Sequence, residues 1–462
     1  MSAGRFLLTA AAGFALWPAA QAAMTFDDAR AIYREKSALF RVDAAEVERA
    51  RAAAESAKAL SGPRVDLITM HVEGKKEIEI DVPEKIRTVG NGVGAQFPAL
   101  HLPQIPSSVG LNYDLGGPRA VLQATWPLYT GGRISAQQDA LAHKVREAQA
   151  LQSERVEEKD AELAQRYWGV QLARSVAQLR ESRLADEEAQ VVRAKRFEAK
   201  GLISKLERMS VEVSRDTAKR EATAAETSAR VAEAELTAEL REKTLPELST
   251  PLFVLTGDLG TLSGWQKKAR LNSPLLRKTD AQIQQAQEGV RAAKGNFHPQ
   301  VFAFGMKNLV KHYLTPVEPD WMAGIGVKFT LWDNKDRMSD ISAAKALVTK
   351  AIAAREETDN KLMSAVEVAF LRTTEAREEY DLTVSTVALA AENLRLREKS
   401  FSEGLSTALD VREARTQLTG AEIAQRAAAY KFVVSWAMLH ASSGAMPEFS
   451  DSLKRADLWA VK

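Results

Sequence analysis

The chain has 462 residues, 45% of them hydrophobic and 27% charged, which excludes an intrinsically disordered polypeptide and a bundle of membrane-spanning helices. Lys and Arg total 63 against 61 Asp and Glu, so the net charge of +2 offers no basic footprint for nucleic acid. With no cysteine, there can be no disulfide, thiolate catalysis, Cys-based zinc site or lipid on an N-terminal cysteine.

Taken in chain order, Arg5, the apolar run Phe6 to Ala15 and the small-x-small triplet Ala20-Gln21-Ala22 read as a signal peptide over 1–22. The competing reading is an apolar helix that stays attached, but the run is too short to span a bilayer and Pro18 follows it. Beyond it no uninterrupted apolar stretch of about 18 residues occurs, so membrane passage would have to use strands. A helix is expected over about 25–60 and a strand over 64–72. The stretch between Pro63 and Trp126, with Gly90, Gly92, Gly94, Pro98, Pro103, Pro106 and Gly110, reads as a long loop. Leu122, Ala124, Trp126 and Leu128 then alternate with polar or small neighbours as a strand, and Thr130 to Arg133 turns into a helix. From Ile134 to about Lys200 there is no proline and one glycine, predicting a helix of roughly 100 Å at 1.5 Å per residue. A Gly201-Leu202 turn leads to a helix over 205–242. Residues 244–272 carry Pro246, Pro251, Gly257, Gly260 and Gly264 and read as a linker with little regular structure.

The order then repeats. Ser37-Ala-Leu-Phe-Arg41 matches Ser273-Pro-Leu-Leu-Arg277, and Ala45, Ala57-Lys58, Pro63 and Val65 match Ala281, Ala293-Lys294, Pro299 and Val301, all at an offset of 236. Trp126-Pro-Leu128-Tyr129 matches Phe329-Thr-Leu331-Trp332, and Gly201-Leu202 with Leu206-Glu207 matches Gly404-Leu405 with Leu409-Asp410, at an offset of 203. This is an internal duplication. The first repeat spans 23–243 with a β-hairpin at 63–129, and the second spans 273–443 with a β-hairpin at 299–332. Each ends in a long helical hairpin, with a linker at 244–272 and a tail at 444–462. Within the second long helix, Met338 to about Glu403, apolar or small residues recur at 362, 366, 369, 373, 376, 380 and 384, the seam of a coiled coil.

The second hairpin pairs 300–307 with a strand in which Ala323, Ile325, Val327, Phe329 and Leu331 alternate with small or polar residues. Aromatics stand at the strand ends: Trp126, Tyr129, Phe329 and Trp332 at one, Trp321 at the other. Such girdles mark membrane barrels, although a soluble sheet on a helix alternates in the same way. Four strands cannot close a barrel around a pore, so membrane insertion would require several copies.

The leader, the duplicated helix–strand–strand–helix units and the two Gly-Leu-x-x-x-Leu-acid turns resemble the TolC family of outer-membrane efflux proteins. Ser273 to Val301, Phe401 to Val411 and Tyr430 to Leu439 carry the resemblance in order and spacing. It implies a mainly α fold with a membrane β-barrel: a homotrimer forming a 12-stranded β-barrel and a 12-helix α-barrel tunnel. It implies an exported protein of the cell outer membrane with a long periplasmic extension. The function implied is a passive duct for a tripartite efflux or type I secretion system. The partners would be outer-membrane lipid, a periplasmic adaptor and, indirectly or by tip contact, an inner-membrane pump. By the same resemblance Gly201, Leu202, Gly404, Leu405 and Ser406 would meet the adaptor, and Asp410 and Glu413, with Glu207 in the first turn, would form the periplasmic gate. The family lock sets an acid in the first turn against an arginine and a tyrosine in the second. Glu207 supplies the acid, but the other positions hold Ser406 and Phe401, which leaves Arg208 and Arg412 as the available cations.

Nothing in the sequence points to catalysis, a cofactor or a metal: the six histidines lack ligand spacing and no phosphate loop occurs. Met306, Met322, Met338 and His312 near the second hairpin read as packing rather than a soft-metal path. Two other readings compete, a periplasmic adaptor and a structural coiled coil. The duplication opposes the first, and the leader and girdled strands oppose the second.

Overall fold

The computed structural model describes residues 23–461 apart from 115, 313, 315–317, 404 and 456; the leader at 1–22 and Gly404 of the second tip lie outside the described residues. In chain order the elements are α1 Phe26–Lys36, α2 Ala38–Lys58, β1 Arg64–Val72, β2 Lys75–Asp81, α3 Glu84–Gln96, β3 Ser108–Asp114, β4 Gly117–Tyr129, α4 Arg133–Ala199 and α5 Lys205–Leu240. There follow β5 Leu252–Leu255, α6 Leu262–Asn272, α7 Pro274–Gly295, β6 Gln300–Asn308, β7 Trp321–Lys328, α8 Arg337–Ser402, α9 Ala408–Ser442, α10 Met446–Ser452 and β8 Leu458–Val461. Adding 236 to the bounds of α1 and β1 gives those of α6 and β6. Thr25 and Thr261, separated by the same interval, each cap the helix that follows. The single helix expected over 25–60 is broken at buried Ser37, whose backbone turns extended, and Ser273 interrupts the second copy identically.

The chain divides into two units. The first holds 23–48, 146–281 and 352–461 of the described residues. Its core centres on Tyr167 and Trp168 of α4, both fully buried. Phe26, Phe253 and Phe449 surround Trp168 with ring centroids 4.7, 5.8 and 5.7 Å away. Buried polar groups there are paired, as burial requires: Tyr167 Oη donates to Met24 O at 2.8 Å and accepts from Thr250 N at 3.1 Å, and Trp168 Nε1 donates to Pro251 O at 2.9 Å.

Residues 244–272 are therefore no featureless linker. Their run Leu252-Phe-Val-Leu255 is a wholly buried strand paired antiparallel with β8 from the tail, and α6 follows it. Four apolar residues between Pro251 and Gly257 gain enough burial on both faces to form a strand once β8 supplies the hydrogen bonds. The α8 seam is buried at Leu362, Val366, Ala369, Thr373, Ala376 and Tyr380, but Val384 is exposed.

The second unit holds 49–145 and 282–351. It contains an antiparallel sheet in the order β1-β4-β6-β7, two hairpins side by side. The first hairpin continues into the β2–β3 ladder, topped by α3, where a long loop was expected. Glycine normally weakens a helix, but Gly90 lies under Ile105, where a Cβ would come 2.2 Å from the Ile105 side chain. Asn91 fixes that contact, accepting from Ile105 N at 2.7 Å and donating to Ile105 O at 3.3 Å. The last strand is shorter than its alternation suggests. It stops at Lys328, so Phe329, Leu331 and Trp332 lie beyond it, in a turn where Asn334 has φ +53° and Arg337 donates to Thr330 O.

Candidate functional site

The tip turns are built from two backbone devices. At the end of α4, Gly201 takes φ +68°, a region open to glycine, and Leu202 N donates back to Phe197 O at 2.9 Å, closing the helix. In the second tip Leu405 N makes the equivalent bond to Ser400 O at 2.9 Å. Each following helix starts with a reciprocal capping box. Ser204 N and Oγ donate to Glu207 at 2.7 and 3.0 Å, and Glu207 N donates to Ser204 Oγ at 3.2 Å. Thr407 N and Oγ1 donate to Asp410 at 2.9 and 2.8 Å, and Ser406 Oγ adds a third bond at 3.1 Å.

These bonds favour the ionised acids. The Ser204 backbone N–H and then its hydroxyl hold Glu207 below the usual carboxylate range. Thr407 and Ser406 do the same for Asp410, the Thr407 backbone bond first. Both acids thus perform one structural task at equivalent positions, which the Ser/Thr-x-x-acid spacing signals and the gate reading passed over. Glu413, one turn beyond Asp410, is exposed.

The two candidate cations have different fates. Arg208 stays in its own hairpin, bonded to Glu198 at 2.7 Å and to Glu212. Arg412 reaches from α9 to α5, donating to Ser214 Oγ at 2.9 Å and Ser210 Oγ at 3.3 Å. Sequence reasoning did not single out two further links to α4: Arg183 donates to Thr416 Oγ1 at 3.1 Å, and Arg415 lies 3.6 Å from Asp186 while also bonding Glu398. Their partners are spread across separate helices, so no local motif marks them. The tip leucines stand out from the surface, Leu202 at 67% and Leu405 at 79% exposure.

On the sheet, residues directly opposite one another share a face. One face carries Val65 and Leu67 of β1, Leu122 and Trp126 of β4, Val301 and Ala303 of β6, and Ala323, Ile325 and Val327 of β7. Apart from Thr69, His71 and Lys307 it is apolar, yet Ile325 is 70% and Val327 67% exposed. Trp321 stands at one end of this face and Trp126 and Tyr129 at the other, Tyr129 returning to it through a register shift after Pro127. Phe329 and Trp332, also exposed, follow the strand end on the side of Trp126. From Trp321 to Phe329 the chain would rise about 26 Å at 3.3 Å per residue, close to the height of a membrane barrel's apolar band. The opposite face mixes Arg64, Asp66, Arg119, Gln123 and Thr125 with Met70, Phe302 and Phe304. The outer edges of β1 and β7 carry no neighbouring strand among the described residues.

No described helix is long and apolar enough to cross a membrane, and no cluster of three or more metal-ligating side chains occurs among the described residues.

The same fold occurs in solved membrane proteins. A membrane protein from Pseudomonas aeruginosa matches with a TM-score of 0.72 at 16% identity, over 91% of this chain and 93% of the other. The outer membrane protein VceC of Vibrio cholerae matches at 0.70 and 15%, over 91% and 96%. The MtrE outer membrane channel of Neisseria gonorrhoeae, in its open state, matches at 0.68 and 16%, over 91% and 89%. No curated protein matches the chain. Residues 265–445 match the family model described as outer membrane efflux protein. Over that segment the chain is similar to the family of outer-membrane efflux proteins, and over most of its length it shares the fold of the solved structures above.

Proposed function

We propose that three copies of the chain close one barrel of 12 strands, four from each, in the outer membrane and one periplasmic tunnel of 12 helices. The sheet carries this reading. Its two unpaired edges are not tolerated in lipid, and joining β7 of one copy to β1 of the next satisfies both. The exposed apolar face, with Trp126, Tyr129, Trp321, Phe329 and Trp332 at its ends, then meets lipid. The chain is exported through the 1–22 leader. Its 23–243 and 273–443 repeats each supply one hairpin of strands and one of helices, and 244–272 forms an equatorial belt.

The duct is passive. An inner-membrane pump chooses the cargo, and an adaptor docks on the tips around Gly201, Leu202, Gly404, Leu405 and Ser406, where protruding leucines suit a protein partner. Asp410 and Glu413 from three copies line the constriction, Asp410 while still capping α9, and Glu207 shapes the first tip beside them. Rings of carboxylate favour cations.

The test of the assembly is the mass of the detergent-solubilised protein from an outer-membrane fraction. A trimer supports it, and a monomer or dimer removes the shared barrel. For the gate, Asp410→Asn with Glu413→Gln should raise conductance or lower cation preference in planar bilayers; no change in either excludes these acids from the constriction.

A further inference from the structure

The face of the sheet opposite the apolar one carries an arrangement that polar pore lining does not require. Phe302 and Phe304 of β6 stand directly across from Gly326 and Gly324 of β7. A Cβ built on Gly326 would lie 2.6 Å from Cζ of Phe302, and one on Gly324 would lie 3.2 Å from Cζ of Phe304. Both rings therefore lean across the ladder and rest on backbone, which only glycine permits at such approach. The ring centroids are 6.1 Å apart. One step further along the same face, Met306 opposes Met322, whose side chain is exposed. Each ring is partly exposed, so the sheet supports one side of it and leaves aromatic surface open.

We propose that this strip is a stacking platform for planar aromatic cations in the exit pore. Its inward orientation rests on the barrel reading above, in which the apolar face meets lipid. Aromatic faces are the negative ends of ring quadrupoles, and the thioether sulfurs beside them are polarisable, so the strip complements a flat, delocalised positive charge. An aliphatic ammonium of the same charge cannot stack. Three copies would present three such platforms around one lumen. The strip acts as a weak, repeated resting place for such solutes on their way out, leaving passage of small inorganic ions unaffected.

The test uses the full-length protein in detergent and in planar bilayers, with N-methylacridinium as the probe and tetrapropylammonium as the aliphatic control. Acridinium binding to the detergent-solubilised protein, followed by its fluorescence, should weaken about tenfold in Phe302→Leu with Phe304→Leu, which keeps the apolar bulk but removes the rings. In bilayers acridinium should block potassium current about tenfold more tightly than tetrapropylammonium, and the double variant should lose that preference while its potassium conductance is kept. Gly326→Ala, which displaces one ring, should give an intermediate loss. Binding that is unchanged in the double variant, or equal block by both cations, would overturn the platform. Ring-dependent binding in detergent without any bilayer conductance would support the platform and count against the open-duct reading instead.

Discussion

Trp168 and Phe253 in the first unit are fully buried, whereas Trp321 and Trp126 on the sheet of the second are 67% and 47% exposed. The same residue types serve two different solvents. In the first unit one chain supplies every partner: Phe26 comes from α1, Trp168 from α4, Phe253 from β5 and Phe449 from α10, and each polar handle finds a backbone carbonyl. On the sheet the chain supplies one side of each contact, and in the barrel proposed above lipid and further copies supply the other. The first unit is thus the part of the fold whose stability a single chain can account for. Trp168→Ala should break it, costing about 4 kcal/mol as the cavity opens beneath three rings. Urea unfolding in detergent measures this, and a loss below about 1 kcal/mol would mean the knot is not the cooperative core.

His440 sharpens the comparison, because it makes the buried unit sensitive to acid. It packs on Trp436 and Trp265 with centroids 4.4 and 5.0 Å away, and its Nδ1 lies 2.9 Å from Trp436 O. Burial pushes its pKa down to about 4, with the Trp436 carbonyl and Glu448 only partly opposing and Lys268 and Arg455 adding to the fall. A folded-state value below the unfolded value of about 6.5 means that the neutral ring favours folding. That contribution is intact above pH 6.5 and is lost as pH falls through the window to about 4, in all about 3 kcal/mol. His440→Gln should flatten the acid limb of stability relative to the parent by about that amount. Parallel acid limbs in the two proteins would show that the ring is already solvated when folded.

The sheet should respond in the opposite sense to its surroundings. Ile325→Glu places a carboxylate on the exposed apolar face, and in lipid it should destabilise the assembled protein by about 2 kcal/mol. In the isolated chain, where Ile325 is already 70% exposed, the same change should cost little. Equal cost in bilayer and in detergent-free monomer would mean that this face packs on protein rather than lipid.

The parts of this fold that were legible in the sequence are those whose signals are local and long. The 236-residue offset located β1 and β6 because Pro63, Val65, Pro299 and Val301 sit at strand starts, and the unbroken runs after Arg133 and Arg337 read as long helices without reference to partners. The β5–β8 pair was not legible. Its strands are four residues each, lie about 200 positions apart, and are held by contacts such as Gly257 N to Asp457 Oδ2 at 3.0 Å that no pattern announces. Helix α3 was hidden by Gly90, Gly92 and Gly94, which signal a loop unless the segment around Ile105 is known to lie against Gly90. At the tips the resemblance drew attention to acids as gate residues, while the simpler signal, Ser204-x-x-Glu207 and Thr407-x-x-Asp410, states their capping role outright.

The smallest effects are expected at those tips, where the two hairpins have matching caps but differently placed arginines. Ser204→Ala and Thr407→Ala each remove a capping hydroxyl and should cost about 1 kcal/mol, visible as faster amide exchange in the first turn of α5 or α9. If capping were all that happens at the tips, the two variants would behave alike in every assay. Arg412 breaks that symmetry, since it ties α9 to Ser210 and Ser214 of α5, while Arg208 is held by Glu198 and Glu212 within its own hairpin. Because the acceptors are hydroxyls, the tie is a pair of single hydrogen bonds rather than an ion pair, and it can be released at small cost. Arg412→Ala should therefore raise the fraction of time a bilayer channel spends open, with Arg208→Ala leaving it unchanged. Equal behaviour of the two variants would return the resting closure to the capped turns and the Arg183 and Arg415 links to α4.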